Sequence, residues 1–310
     1  MQARRLITVL GHTAGGKTSF AVALAHRLGG EIISADSRQV YRGMDIGTGK
    51  DLSEYRVDGE ELPHHLIDIA EAGSEYNVFS FKKDFIAAYM DITGRGKTAL
   101  MCGGSGMYLE SVLRNYKMLY VPEDEELRTV LESKSNEELE AILKGYGPLH
   151  NQTDTENRKR LIRAIEIAMY QGAVPDDSQI AGLDTSLVLG IRYERVNRRK
   201  RISERLKQRL EAGMIDEVEG LLRQGVSPER LEYYGLEYKF ISRYLRKDLA
   251  YDDMVAGLNT AIHQFAKRQM TYFRGMERRG ISIHWLQGER PQEEKLEEAL
   301  ALIGAGEQTI

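Results

Sequence analysis

The chain of 310 residues has a single cysteine, Cys102, so no internal disulfide can staple it. That scarcity makes a reducing, cytosolic setting the expectation. It also lacks any apolar run near the roughly 20 residues that span a bilayer, and no repeat or low-complexity tract interrupts it. Nor is there an excess of positive charge: 43 Lys and Arg against 47 Asp and Glu leave a net charge of −4. The chain as a whole is therefore not a polycation drawn to nucleic acid by bulk charge. What remains, 42% hydrophobic and 29% charged residues, suits a soluble globular protein with one large domain or two modest ones.

The opening MQARRLITVLG resembles the start of a leader, but its short apolar run ends in a glycine-rich loop, without a small-residue cleavage site. A buried first strand explains it better. Strand candidates follow at 31–35, 97–102, 186–193 and 281–286, with helical periodicity at 17–28 and 107–113. Alternation of this kind predicts an α/β fold, a P-loop NTPase-like core whose parallel sheet is flanked by helices. Positions 119–150 are charged, helix-prone and poor in strand signals. They imply a small helical insertion over 115–184, leaving through PDDSQIAGLD (175–184). The core is then 1–114 with 185–310, whose last part reads as long helices broken at QGVSPE (224–229).

Two segments carry chemistry. In GHTAGGKT, residues Gly11, His12, Thr13, Ala14, Gly15, Gly16, Lys17 and Thr18 match the spacing of a phosphate cradle between a strand and a helix. The glycines let successive amides face an anion, the helix aims its positive end there, and Lys17 adds a full charge. Thr18 offers its hydroxyl to Mg²⁺. The motif alone does not distinguish ATP from another pyrophosphate. The other segment is SADSRQVYRG (34–43), where Asp36 follows a strand but is not continued as an ATPase would continue it. Elsewhere, 192–209 and 157–164 are basic stripes, each on its own more simply a solvated helix face. His64 and His65 lack partners for a metal site and suit a structural role near the sheet. Cys102 and most Tyr and Met suit the core.

GHTAGGKT (11–18), SADSRQVYRGMDIGTGK (34–50), HHLIDI (64–69), GGSGMYLESVL (103–113), NRKRLIRAIEI (157–167) and AKRQMTYFR (266–274) occur in this order. Together they resemble the tRNA dimethylallyltransferase, or tRNA isopentenyltransferase, family over about 4–286. The resemblance implies a P-loop fold turned to prenyl transfer, from dimethylallyl diphosphate, with Mg²⁺, to N6 of adenine 37 of tRNA. It implies Asp36 as general base, Ser105 beside the reacting nitrogen, and Lys17 with Arg163 on the diphosphate. It further implies tRNA contacts from Asp36, Ser37, Arg38 and Gln39, from Ser105 and Arg128, and from Lys159, Arg160, Leu161, Ile162 and Arg163. Lys267, Arg268 and Gln269 would support the core or the RNA backbone. Partners are then the tRNA anticodon stem-loop and dimethylallyl diphosphate, with no membrane, and the enzyme a monomer. Against the family pattern, His12 replaces proline, Gly15 serine and Ser105 threonine, and YYGLEYKF (233–240) follows the usual Gly-Tyr-Lys-Glu run only loosely. The alternatives left open are prenylation of free adenine nucleotides, a small-molecule kinase, and a non-catalytic RNA-binding protein.

Overall fold

The computed structural model describes residues 6–116, 121–147, 157–170 and 186–307. The exit segment expected at 175–184 and the stretch 117–120 lie outside or largely outside these residues. The chain divides into two compact units, Met1–Tyr116 with Ser178–Ile310, and Lys117–Asp177.

The first unit begins with β1 (Ile7–Gly11), α1 (Lys17–Leu28) and β2 (Glu31–Ala35). A 3-10 turn (Leu52–Tyr55) leads to a small hairpin of β3 (Arg56–Val57) and β4 (Glu60–Glu61), then to β5 (His64–His65). Next come α2 (Val78–Gly94), β6 (Ala99–Gly103) and α3 (Gly106–Leu113). The second unit holds α4 (Glu125–Glu132), α5 (Asn136–Gly145) and α6 (Arg158–Met169). The first unit resumes with β7 (Leu187–Arg192), α7 (Arg195–Glu211), α8 (Met214–Arg223), α9 (Pro228–Tyr234), α10 (Leu236–Leu245) and α11 (Tyr251–Arg278). It closes with β8 (His284–Gln287) and α12 (Gln292–Glu307).

Six strands form one sheet in the order β5-β2-β6-β1-β7-β8, every pair parallel. Alternation along β1 sends Ile7 and Val9 to one face and Leu6 and Leu10 to the other. The first face packs on α1 and α12 through Phe20, Leu24, Leu296 and Ala299. The second packs on α2, α3, α7 and α11 through Phe81, Phe85, Leu109, Ile202 and Phe273. Both faces are therefore covered, which is why the strands read as near-continuous apolar runs. The edge strand β5 pairs only Ile32 with His64 and Ile33 with His65. His65 Nε2 meets Glu31 Oε2 at 2.8 Å, so the histidine pair sits in the sheet edge.

Local chemistry sets the element ends. Gly29 at φ 57° closes α1, its N–H reaching the carbonyls of Ala25 and His26. Asn77 caps α2 through Ser80 N, and Ser227, followed by proline, starts α9 after the expected break. Ser135 and Glu138 form a reciprocal capping box on α5. In the second unit, Leu131, Leu139, Leu161, Ile162 and Ile165 make a small core of their own.

Candidate active site

Three loops leave the C-terminal ends of β1, β2 and β6, neighbours in the sheet, and so open on one rim. The first runs from His12 to Gly16 into α1. Its backbone places Ala14 (φ 58°) and Gly16 (φ 65°) in the left-handed region. Alternating handedness of this kind turns successive amides to one side and forms an anion nest. A left-handed alanine costs about 1 kcal/mol. Arg201 Nε, from α7, holds the Ala14 carbonyl at 3.1 Å.

Lys17 reaches into this loop, Nζ to His12 O at 3.5 Å. Burial pulls the ammonium down from its usual range, opposed by its surroundings, among them the carboxylates of Asp36 and Glu54. An arriving anion relieves the same penalty. His12 is fully buried beneath the loop. Its Nδ1 lies 2.7 Å from the Thr13 carbonyl, and burial brings the imidazole down to about 4. It is thus neutral near pH 7, with Nδ1 as the donor. A Cβ at Gly15 would come within 2.8 Å of the His12 carbonyl and 3.5 Å of the ring. The two departures from the family pattern therefore stand against each other in space.

Thr13 is spent inside the protein. Its N–H donates to Gln269 Oε1 at 2.8 Å, and its hydroxyl accepts from Arg205 at 2.6 Å. Gln269, on α11, also donates to the Gly104 carbonyl at 3.0 Å, so one carboxamide ties the first loop to the third. The glycines of that third loop serve close packing. A Cβ on Gly103 would strike Ala35, and one on Gly106 would strike the Tyr272 ring.

Asp36 stands at the end of β2. Its Oδ1 accepts from Arg38 N at 2.9 Å, a local turn rather than a helix cap. Ser105 comes to the same place, its Oγ accepting from Ser37 N at 3.0 Å and lying 3.3 Å from Ser37 Oγ. The carboxylate, the hydroxyl and Lys17 thus gather around one rim. Gln39 is occupied: its Oε1 accepts from Ser34 at 3.2 Å and its Nε2 donates to Gly49 O at 3.2 Å. It stiffens the loop that carries Asp36. Glu217 pins the same stretch by accepting from the amides of Asp45, Ile46 and Gly47 and from the Tyr238 hydroxyl. Buried Lys50 bonds Asp45, Asp68 and the Tyr41 carbonyl.

Sequence reasoning left out four groups. Arg201, Arg205 and Arg209 recur every four residues on α7 within the basic stripe read as a solvated face. Ile202 and Leu206 bury the adjoining face. That fixes the arginine row toward the loops, with Arg205 and Arg209 half-buried. Burial lowers both, and each sits near the half-buried carboxylate of Glu237, itself raised by desolvation. The spacing of the arginines was the available signal. Glu54, on the 3-10 turn, had none. Burial and Asp51 raise it, and it hydrogen-bonds Thr18. A hydroxyl beside a carboxylate suits a hard cation that keeps waters and phosphate oxygens as its other ligands. Among the described residues no cluster of three or more His, Cys, Asp or Glu could cage a metal alone.

In the second unit, Arg163 donates to the Val121 carbonyl at 2.6 Å and pairs with Glu166. Arg128 pairs with Glu166 at 2.9 Å and Glu123 at 2.7 Å. Lys159 and Arg160 are exposed, whereas Leu161 and Ile162 face the unit's own core. These two side chains orient α6 and leave its basic neighbours outside.

The IPP transferase family matches residues 39–276, and the isopentenyl transferase family matches 4–59. The chain is 55% identical over 291 residues to a Bacteroides fragilis protein named tRNA dimethylallyltransferase 2, covering 94% of this chain and 95% of that one. It is 54% identical to a Porphyromonas gingivalis protein of the same name, covering 97% and 99%. Among solved structures, the full-length tRNA isopentenylpyrophosphate transferase of Bacillus halodurans aligns with a TM-score of 0.71 at 30% identity, over 98% of this chain and 96% of that one. No described helix is long and apolar enough to cross a membrane. With the family match spanning most of its length and relatives above 50% identity, the chain belongs to the IPP transferase family of tRNA dimethylallyltransferases.

Proposed function

We propose that the protein transfers a dimethylallyl group from dimethylallyl diphosphate to N6 of adenine 37 in tRNA, releasing pyrophosphate. The observation that carries this reading is a carboxylate, Asp36, near the Lys17 ammonium on a loop that Ser37 bonds to the Ser105 hydroxyl, with Gln269 joining the Ser105 loop to the cradle. The N6 lone pair is delocalised into the adenine ring, so nitrogen attack benefits from a base that takes its proton as the bond forms. Asp36 is that base. As the N6–C bond forms, the allylic C–O bond breaks and its electron pair leaves with the pyrophosphate. Lys17, Arg205 and the loop amides meet the charge that grows there. The hydroxyl of Ser105 orients the acceptor nitrogen. Thr18 and Glu54 would hold Mg²⁺, which when bound offsets charge on the diphosphate. The adenine must leave the anticodon-loop stack, at a cost of a few kcal/mol, roughly. Exposed cations such as Lys159 and Arg160 help to offset it through phosphate contacts.

The reading is tested by incubating the protein with labelled dimethylallyl diphosphate and either tRNA or AMP. Label should enter tRNA as N6-dimethylallyl-adenosine. Label only on AMP, or phosphate transfer from ATP without prenylation, would overturn it. Asp36→Ala should lower kcat by about 10²–10⁴-fold, with tRNA binding retained.

A further inference from the structure

Consecutive tyrosines end α9, and they do opposite things. Tyr234 is fully buried. Its hydroxyl donates to the Ser74 carbonyl at 2.8 Å and accepts from Gly73 N at 2.6 Å, and its ring packs on Tyr41 at 4.5 Å between centroids. Tyr233 is 49% exposed, a large aromatic face left toward solvent. Two guanidiniums flank it. Arg38 Cζ lies 5.3 Å from the ring centroid and Arg230 Cζ lies 5.8 Å from it. Arg230 is fixed by Glu75 at 2.8 Å. Arg38 makes no ion pair among the described residues, and its backbone N–H is the one bonded to Asp36. One residue, Arg38, thus links the exposed ring through its side chain and the Asp36 carboxylate through its backbone.

We infer that Tyr233 is a stacking platform for an acceptor-RNA base flanking the reacting adenine, with the unpaired Arg38 guanidinium beside it for an adjacent phosphate. The inference rests on the prenyl-transfer reading above. Pulling one nucleotide out of a loop strips its neighbours of a stacking partner, and single-stranded RNA sites replace such partners with aromatic rings and guanidinium planes. The Tyr233 ring meets that of buried Tyr234 edge-on, 5.8 Å between centroids, which limits the freedom it loses on binding. Arg38 supplies the charge complementarity that an ordinary exposed tyrosine lacks. A free adenine nucleotide has no flanking base, so a platform here also favours a polymer acceptor.

The test pairs kinetics with a base-stacking probe. Tyr233→Ala should raise KM for tRNA about tenfold, leave KM for dimethylallyl diphosphate unchanged and spare kcat at saturating tRNA. Tyr233→Phe and Tyr233→Trp should restore KM. With 2-aminopurine placed in turn on either side of the acceptor position, binding should change the fluorescence of one of the two RNAs, and Tyr233→Ala should abolish that change. An unaltered KM and probe signal in Tyr233→Ala would overturn the inference. So would a Tyr233→Phe variant as impaired as Tyr233→Ala, since the hydroxyl would then be the working part. The probe needs binding alone. A wild-type protein that makes no prenylated tRNA therefore refutes the functional reading, while the fluorescence still decides the platform.

Discussion

Arg205 touches the cradle through the Thr13 hydroxyl while burial works against its charge. A cation in that position is costly until an anion arrives, which suits a group meant for a leaving pyrophosphate. Arg205→Ala should raise KM for dimethylallyl diphosphate and lower kcat, together by about 10–100-fold in kcat/KM. Steady-state kinetics with a fixed tRNA would show it, and an unchanged donor KM would contradict it. Such a residue was only half legible in the sequence. Gly11 to Thr18 and Asp36 are contiguous with strand ends, so their place on one rim could be read from neighbours a few positions away. Arg205 needs to be known as one of a row on α7, and its direction comes from Ile202 and Leu206 burying the next face. Gln39 illustrates the converse: the family resemblance implied a tRNA contact, and its amide bonds Ser34 and Gly49 instead of standing free.

Among the elements, the sheet edge carries the clearest titration. Arg95, through paired hydrogen bonds, and His65 hold the Glu31 carboxyl down at about 2, despite burial. Glu31 opens β2, His65 lies on β5, and Arg95 caps the end of α2. A carboxyl lowered on folding stabilises above its unfolded range, near 4.5, and loses that contribution as pH falls toward about 2. Glu31→Gln should therefore cost on the order of 1–2 kcal/mol at pH 7, allowing for solvent around Arg95. The gap should close as denaturation is followed down to pH 2. A pH-independent gap would assign the loss to packing instead. The same edge shows why some elements escaped sequence reading. Five residues of near-continuous apolar chain announce β1, but β5 has two residues and is a strand only because β2 offers it a ladder. The hairpin of β3 and β4 is equally short. The start of β8 falls three residues later than the apolar run, because Ile283 packs in the core before pairing with β7 begins.

For the whole molecule, the net charge of −4 leaves RNA affinity to placed cations rather than to overall attraction. The affinity for tRNA should fall with salt. Removing exposed Lys159 and Arg160 together should flatten the slope of log K against log salt by about one per side chain. Filter binding across a salt series measures this, and an unchanged slope would remove both from the RNA contact. Gln269 has a wider consequence. Its single carboxamide holds the Thr13 amide of the loop that would receive the donor and the Gly104 carbonyl beside Ser105 on the acceptor side. A shift of either loop would strain the hydrogen bond that the same carboxamide makes to the other. Thermodynamic reciprocity then requires that whatever affinity a bound diphosphate lends the RNA, the RNA returns in equal measure. A side chain on α11 that touches no reacting atom would then tune how strongly each substrate favours the other.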